Sequence, residues 1–197
     1  LHNAGYIALL EGDLVAALET MGRARGALAA ASAVNAAICD LDQAEVLRDA
    51  GLAREAESSL ERVVGVFAAH RMRQAKGEAQ FHLARSLLAH APERAADAAA
   101  AAARTFRGVD SEWWALRADA VRLRGALMPE GEYAGAVRPP SRRVLEQADA
   151  VASRLRDAGL RSEAAALRLT TELRLAHAGG GERHPAPVRA PRDAALP

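Results

Sequence analysis

A recurrence at about 40 residues constrains this chain more than any other feature, because Ala17, Ala56 and Ala96 sit at matching points of similar segments. The first segment, NAGYIALLEGDLVAALETMGRA, carries Gly5, a Gly12-Asp13 turn, then Ala17, Met21 and Ala24. The second, LDQAEVLRDAGLAREAESSLERV, repeats this with Ala44, Leu47, Gly51, Ala56, Leu60 and Val63. The third, AQFHLARSLLAHAPERAADAAAAAA, does so with Ala84, Leu87, Ala96, Ala100 and Ala103. Small residues at these places let two helices cross where only a hydrogen or a methyl fits, and the bulky residue fills the gap between successive pairs. Such a unit cannot bury its apolar face alone, so tandem copies imply stacking.

Helical periodicity runs almost from end to end, over 1–11, 14–30, 34–50, 53–71, 74–90, 93–107, 110–128, 141–158 and 161–178. The links Gly12-Asp13, Gly51-Leu52 and Ala91-Pro92 are so short that their helices must fold back as antiparallel pairs. Asp13 and Ser141 are placed to cap the helices that follow. Half of the residues are hydrophobic but only 4% are aromatic, so the apolar mass is mostly alanine and leucine. That composition suits closely packed helices, and strand formers are sparse.

The stretch 129–140 interrupts the array, and 179–197 turns to glycine, proline and arginine, the composition of a disordered linker. A later hairpin has Ala152, Leu155, Gly159 and Ala164, then departs from the pattern at Arg168 and Thr171. Either it is a degenerate unit, or 110–128 pairs with 141–158 and 161–178 opens the next unit. The expected fold is an all-α, αα-hairpin solenoid of about nine helices over 1–178, coiled as a right-handed superhelix.

The units resemble tetratricopeptide repeats, although their spacing exceeds the ~34 residues of that repeat. The wording of HNAGYIALLEGDLVAAL, of 40–90 and of ARTFRGVDSEWWALRADAVRLRGAL also resembles the repeat region of bacterial CHAT-domain proteins. In that family a tetratricopeptide-like array precedes a caspase-like cysteine-protease domain. The likeness covers about 2–128 well and 141–178 loosely, and no segment here matches the protease domain. The resemblance implies a bacterial sensing or docking module that regulates or targets an effector. The chain opens on Leu1 with the pattern already running at His2, so it is expected to be an excerpt from a longer protein.

The net charge of +1, with both signs interspersed, lacks the concentrated basic footprint of a nucleic-acid binder. The lone cysteine, Cys39, permits no internal disulfide and fits a reducing cytoplasm. No apolar run approaches the ~20 residues of a membrane span. Cys39 lies in a helical run and reads as packing rather than as a nucleophile. His70, His82 and His90 lack metal-ligand spacing, and His70 and His90 sit near helix ends where carbonyls can receive them. The Gly179-Gly180-Gly181 run has no preceding strand and reads as linker rather than phosphate loop. No metal, cofactor or catalytic residue is assigned to this chain. On a helix Trp113 and Trp114 point about 100° apart, so one is expected inside and the other partly exposed. Packing beneath the proline-rich loop is the favoured reading over an interface anchor.

The expected binding surface is the concave face lined by the first helix of each pair. The repeat pattern places Tyr6, Leu9 and Leu10 there, then Leu41, Glu45, Arg48 and Asp49, then Phe81, Arg85 and Leu88. That mixture of apolar anchors and both charges suits a peptide or helix better than a phosphate backbone. The function expected is a protein–protein interaction scaffold in the cytoplasm, whose partner is a protein, a peptide or the effector domain of its own parent. The alternative is a helical relay segment of a multidomain transcription regulator.

Overall fold

In a computed structural model that describes residues 2–128 and 139–179, every regular element is helical. The order is α1 (His2–Leu10), α2 (Leu14–Ala29), α3 (Ala33–Asp49), α4 (Ala53–Ala69), α5 (Arg73–Leu87), α6 (Pro92–Arg107), α7 (Glu112–Leu127), α8 (Arg142–Asp157) and α9 (Arg161–Gly179). The expected break at 129–140 and the linker at 179–197 fall largely on 129–138 and 180–197, which lie outside the described residues. Pro139 and Pro140 are non-helical, and α9 extends through Gly179.

Most connectors are built alike. Gly12, Gly51, Arg71, Asp110 and Gly159 take the left-handed conformation, with φ between 55° and 82°. In each case the next residue's N–H donates to the carbonyl five positions back. Asp13 reaches Ala8, Leu52 reaches Leu47, Met72 reaches Phe67, Ser111 reaches Phe106 and Leu160 reaches Leu155, all at 2.8–2.9 Å. This bond satisfies a carbonyl orphaned by the helix end and turns the chain sharply. It also corrects the expected start of α7, since left-handed Asp110 cannot begin a helix. The remaining turns rely on side chains and proline. Ser32 caps α3 through the Asn35 N–H at 3.4 Å, and Pro92 opens α6. Asp13 accepts from the Ala16 N–H at 3.0 Å and Ser141 from the Val144 N–H at 3.4 Å, as the sequence suggested.

Each helix packs on the next, and the odd-numbered helices also touch in series, α1 to α3, α3 to α5, α5 to α7 and α7 to α9. Among the described residues no two even-numbered helices meet. The stack is therefore an αα-hairpin solenoid that curves with its odd helices inside. The α7–α9 contact decides between the phasings left open by the sequence: α7 pairs with α8, and α9 takes the place of a first helix in the next unit.

The small-residue rule operates as expected at Gly5, where a Cβ would meet Met21 Cγ at 2.6 Å. Elsewhere the alanine-rich layers are filled by the chain's three phenylalanines, Phe67, Phe81 and Phe106, each at most 2% exposed. Complete burial of each contributes roughly 1.5–3 kcal/mol. Two carboxylates are also taken inside between neighbouring units. Asp40 on α3 pairs with Arg25 on α2, and Asp119 on α7 pairs with Arg107 on α6. No described helix is long and apolar enough to cross a membrane.

Candidate protein-docking groove

The inner helices bring a compact charged group together. On α3, Arg48 donates to Glu45 at 3.1 Å and to Asp49 at 3.0 Å. Its other terminal nitrogen lies 3.3 Å from Nδ1 of His82 on α5. Arg85, also on α5, approaches the same Glu45 at 3.7 Å. On α7, Arg117 donates to Glu163 of α9 at 3.1 Å. Arg117 also lies over three aromatic rings, 5.0 Å from Phe81, 4.7 Å from Trp113 and 4.6 Å from Trp114. A cation over ring faces is attracted by the ring quadrupoles, which helps to fix this side chain. Arg124, one turn from the end of α7, meets Thr170 Oγ1 of α9 at 3.4 Å.

Three hollows follow one another along this face. The first, about 280 Å³, is lined by Arg48, Arg85, Leu88, Ala89, Arg124 and Met128. The second, about 240 Å³, includes Phe81, Arg85, Arg117, Val121, Arg124 and Glu163. The third, about 380 Å³, lies between α7 and α9 and is the most apolar, with Leu127, Met128, Leu169 and Leu173 in its wall. Arg85 and Arg124 thus border the first two, and Arg124 borders all three.

Burial works against charge here. It pushes the guanidiniums of Arg85 and Arg124 below their usual range, and for Arg85 the neighbouring Arg48 adds to the effect. His82 is pushed down to about 3, first by burial and then by Arg48, Arg85 and Arg117, against a small opposing pull from Asp49. It is a neutral imidazole at neutral pH.

The residues projected onto the concave face divide into groups. Glu45, Arg48, Asp49 and Arg85 are the partly exposed polar ones that the structure gathers. Leu41, Phe81 and Leu88 are in the core, at 9%, 2% and 7% exposure, so they are not exposed anchors. Leu41 packs with the α3–α4 cluster, and Phe81 with Leu88 packs with the cluster of α5, α6 and α7. The projection counted both apolar positions of each inner helix as surface, but a helix touched by neighbours on both sides keeps only a narrow open stripe. On α1, Leu9 packs beside Met21, while Tyr6 and Leu10 are exposed.

Sequence reasoning missed Arg117, Arg124, His82 and Met128. Arg124 had a signal: Arg48, Arg85 and Arg124 are spaced by 37 and 39 residues, close to the repeat. The unsettled phase after residue 110 hid it. Of the adjacent tryptophans, Trp114 packs inward, 5.4 Å from Phe81 and 5.5 Å from Phe106, while Trp113 stays 46% exposed. Trp114 is thus held by α5 and α6, while the proline-rich loop expected to cover the pair falls largely on 129–138, outside the described residues.

The other singled-out side chains have structural settings. Cys39 is buried, and burial pushes its thiol up, with Asp42 and Asp40 adding to this. It is therefore held as the unreactive thiol form. His90 does not serve the α5 carbonyls as expected. Its ring reaches Glu57 of α4 at 2.8 Å, which together with Arg94 holds that carboxyl below its usual range. His70 is the C-cap of α4, through its backbone N–H, which donates to the Val66 carbonyl at 3.1 Å. Among the described residues no group of three or more acidic, histidine or cysteine side chains is arranged to hold a metal.

No protein-family model, curated protein or solved structure matches this chain.

Proposed function

We propose that this chain is a protein-interaction scaffold whose inner groove, built from α3, α5, α7 and α9, receives a peptide or helix of a partner. The observation that carries this reading is the run of adjoining hollows in which partly desolvated arginines stand beside Leu88, Met128, Leu127 and Leu169. Ligand sites combine an apolar floor with a few placed polar groups in this way, and stacked helical hairpins present such surfaces on their concave side. The sequence resemblance to the repeat region of CHAT-domain proteins adds a context. In it the scaffold docks or senses on behalf of an effector domain, within the cytoplasm.

A photo-crosslinking amino acid at Ala89, in the groove, and another at Arg62, on α4 and exposed, test this reading. Adducts with a discrete protein from the Ala89 position alone are the expected result. Adducts from Arg62 alone, or none from Ala89 when the parent protein is expressed in its own cell, would reject the inner groove. Substituting Leu41 or Phe81 cannot serve as the test, because both are buried and their loss would be read as unfolding.

A further inference from the structure

We propose that the groove selects a partner segment in which a carboxylate adjoins an apolar side chain, the carboxylate lying between Arg85 and Arg124 and the apolar group on Ala89 and Met128; this rests on the docking reading above. Arg48, Arg85 and Arg124 come from successive inner helices and line one hollow of about 280 Å³. Their charges are not equally spent. Arg48 has Glu45, Asp49 and His82 as partners. Arg85 has a share of Glu45, at 3.7 Å, as its one carboxylate among the described residues, and lies 5.8 Å from the Phe81 ring. Arg124 has Thr170 at 3.4 Å and, among the described residues, no carboxylate within ion-pair distance. Arg117 is committed to Glu163 and to the aromatic rings.

Two guanidiniums with donors to spare therefore flank a concave, partly dry space. Holding a charge there without a counter-charge is costly. A guanidinium presents paired N–H groups whose geometry matches a carboxylate, and such charge-assisted bonds are the strong ones. Neutral His82 cannot supply the missing negative charge and adds no positive one. A polyanion is disfavoured, because Glu45, Asp49 and Glu163 border the same face and would repel a row of phosphates. One carboxylate meets the two available arginines, and Ala89 with Met128 offers apolar surface beside it.

The test uses the chain labelled with ¹⁵N, following the arginine Nε–H resonances of Arg85 and Arg124. The probes are acetyl-Leu-Glu-Leu-Glu-Leu-amide, the same peptide with glutamine for glutamate, and inorganic phosphate. Saturable shifts of both arginines with the glutamate peptide are expected, at an affinity about tenfold or more above that for the glutamine peptide. Arg124→Gln should weaken the glutamate peptide by about tenfold, with an unchanged melting temperature showing that the fold is intact; Arg62→Gln should change nothing. Equal affinity for both peptides, tighter binding of phosphate, no saturation at millimolar peptide, or unaltered binding by Arg124→Gln would each overturn the proposal. Equal affinity with shifts at Ala89 would remove the carboxylate but leave the docking groove. Absence of Ala89 crosslinks would remove the groove itself.

Discussion

Arg48 on α3 donates through Nη1 to Nδ1 of His82 on α5, 3.3 Å away, so two inner helices are joined by a bond that only an unprotonated ring nitrogen can accept. A guanidinium has no acceptor, which places the imidazole proton on Nε2. The pair ties the polar face of the groove to the burial of a histidine.

This has a consequence for pH. His82 lies at about 3 when folded and near its ordinary 6.5 when unfolded. Between those values the unfolded chain binds the extra proton, so stability is full above about 6.5 and is lost as pH falls toward 3, by at most about 1.4 kcal/mol per pH unit. Urea unfolding at pH 7 and pH 5 should show wild type losing about 1–2 kcal/mol more than His82→Gln. Equal losses would mean that the histidine does not report on this burial.

Among the described residues, two turns carry a left-handed residue other than glycine, Arg71 at φ 56° and Asp110 at φ 55°, and both side chains are exposed. That conformation costs an L-residue with a Cβ about 1 kcal/mol, which glycine avoids. Arg71→Gly and Asp110→Gly should each raise the thermal midpoint, and Gly51→Ala should lower it by a comparable amount. A fall with either glycine substitution would show that the side chain itself supports the turn.

Glycines on helices have opposite roles according to what faces them. A Cβ on Gly125 would stand 2.6 Å from the Pro92 carbonyl oxygen and 3.0 Å from the Ala96 nitrogen, both backbone atoms of α6. Gly125→Ala should therefore cost about 1–3 kcal/mol in denaturant unfolding. Gly65, inside α4, meets nothing within 4 Å. Gly65→Ala should stabilise by about 0.5–1 kcal/mol through helix propensity alone.

Asp119 is 9% exposed and pairs with Arg107 of α6, with Arg122 at 3.6 Å as a second neighbour. Because Arg107 is 45% exposed, solvent screens much of the attraction. Asp119→Ala should cost about 1–2 kcal/mol, with Arg107→Ala costing less because it leaves Arg122 beside the carboxylate. A double-mutant cycle with a coupling near zero would assign the cost of Asp119→Ala to packing instead.

The helical hairpins were legible because their determinants are local. Gly12 and Gly51 mark turns that need a left-handed residue, Asp13 and Ser141 offer a capping oxygen, and Ala17 or Ala56 marks a close crossing. Arg71 and Asp110 complete the same kind of turn without glycine, so no residue type advertises them. The groove was half legible. Glu45, Arg48, Asp49 and Arg85 followed from extending the repeat, whereas Arg124 and Arg117 required the phase of the last helices.

By itself the sequence determined an all-α stack of antiparallel pairs, since 3.6-residue periodicity, short links and small crossing residues act within one unit. Only the tertiary structure decided the phase of the last helices, with α7 and α9 joining α1, α3 and α5 in the inner series of contacts. It also decided that Phe81 is core while Arg85, on the same helix, borders the groove. The physical reason is that burial and counter-charge are pairwise properties of neighbouring units. Arg48 and Arg124 are similar residues in similar helices, yet only Arg48 has Glu45 and Asp49 beside it.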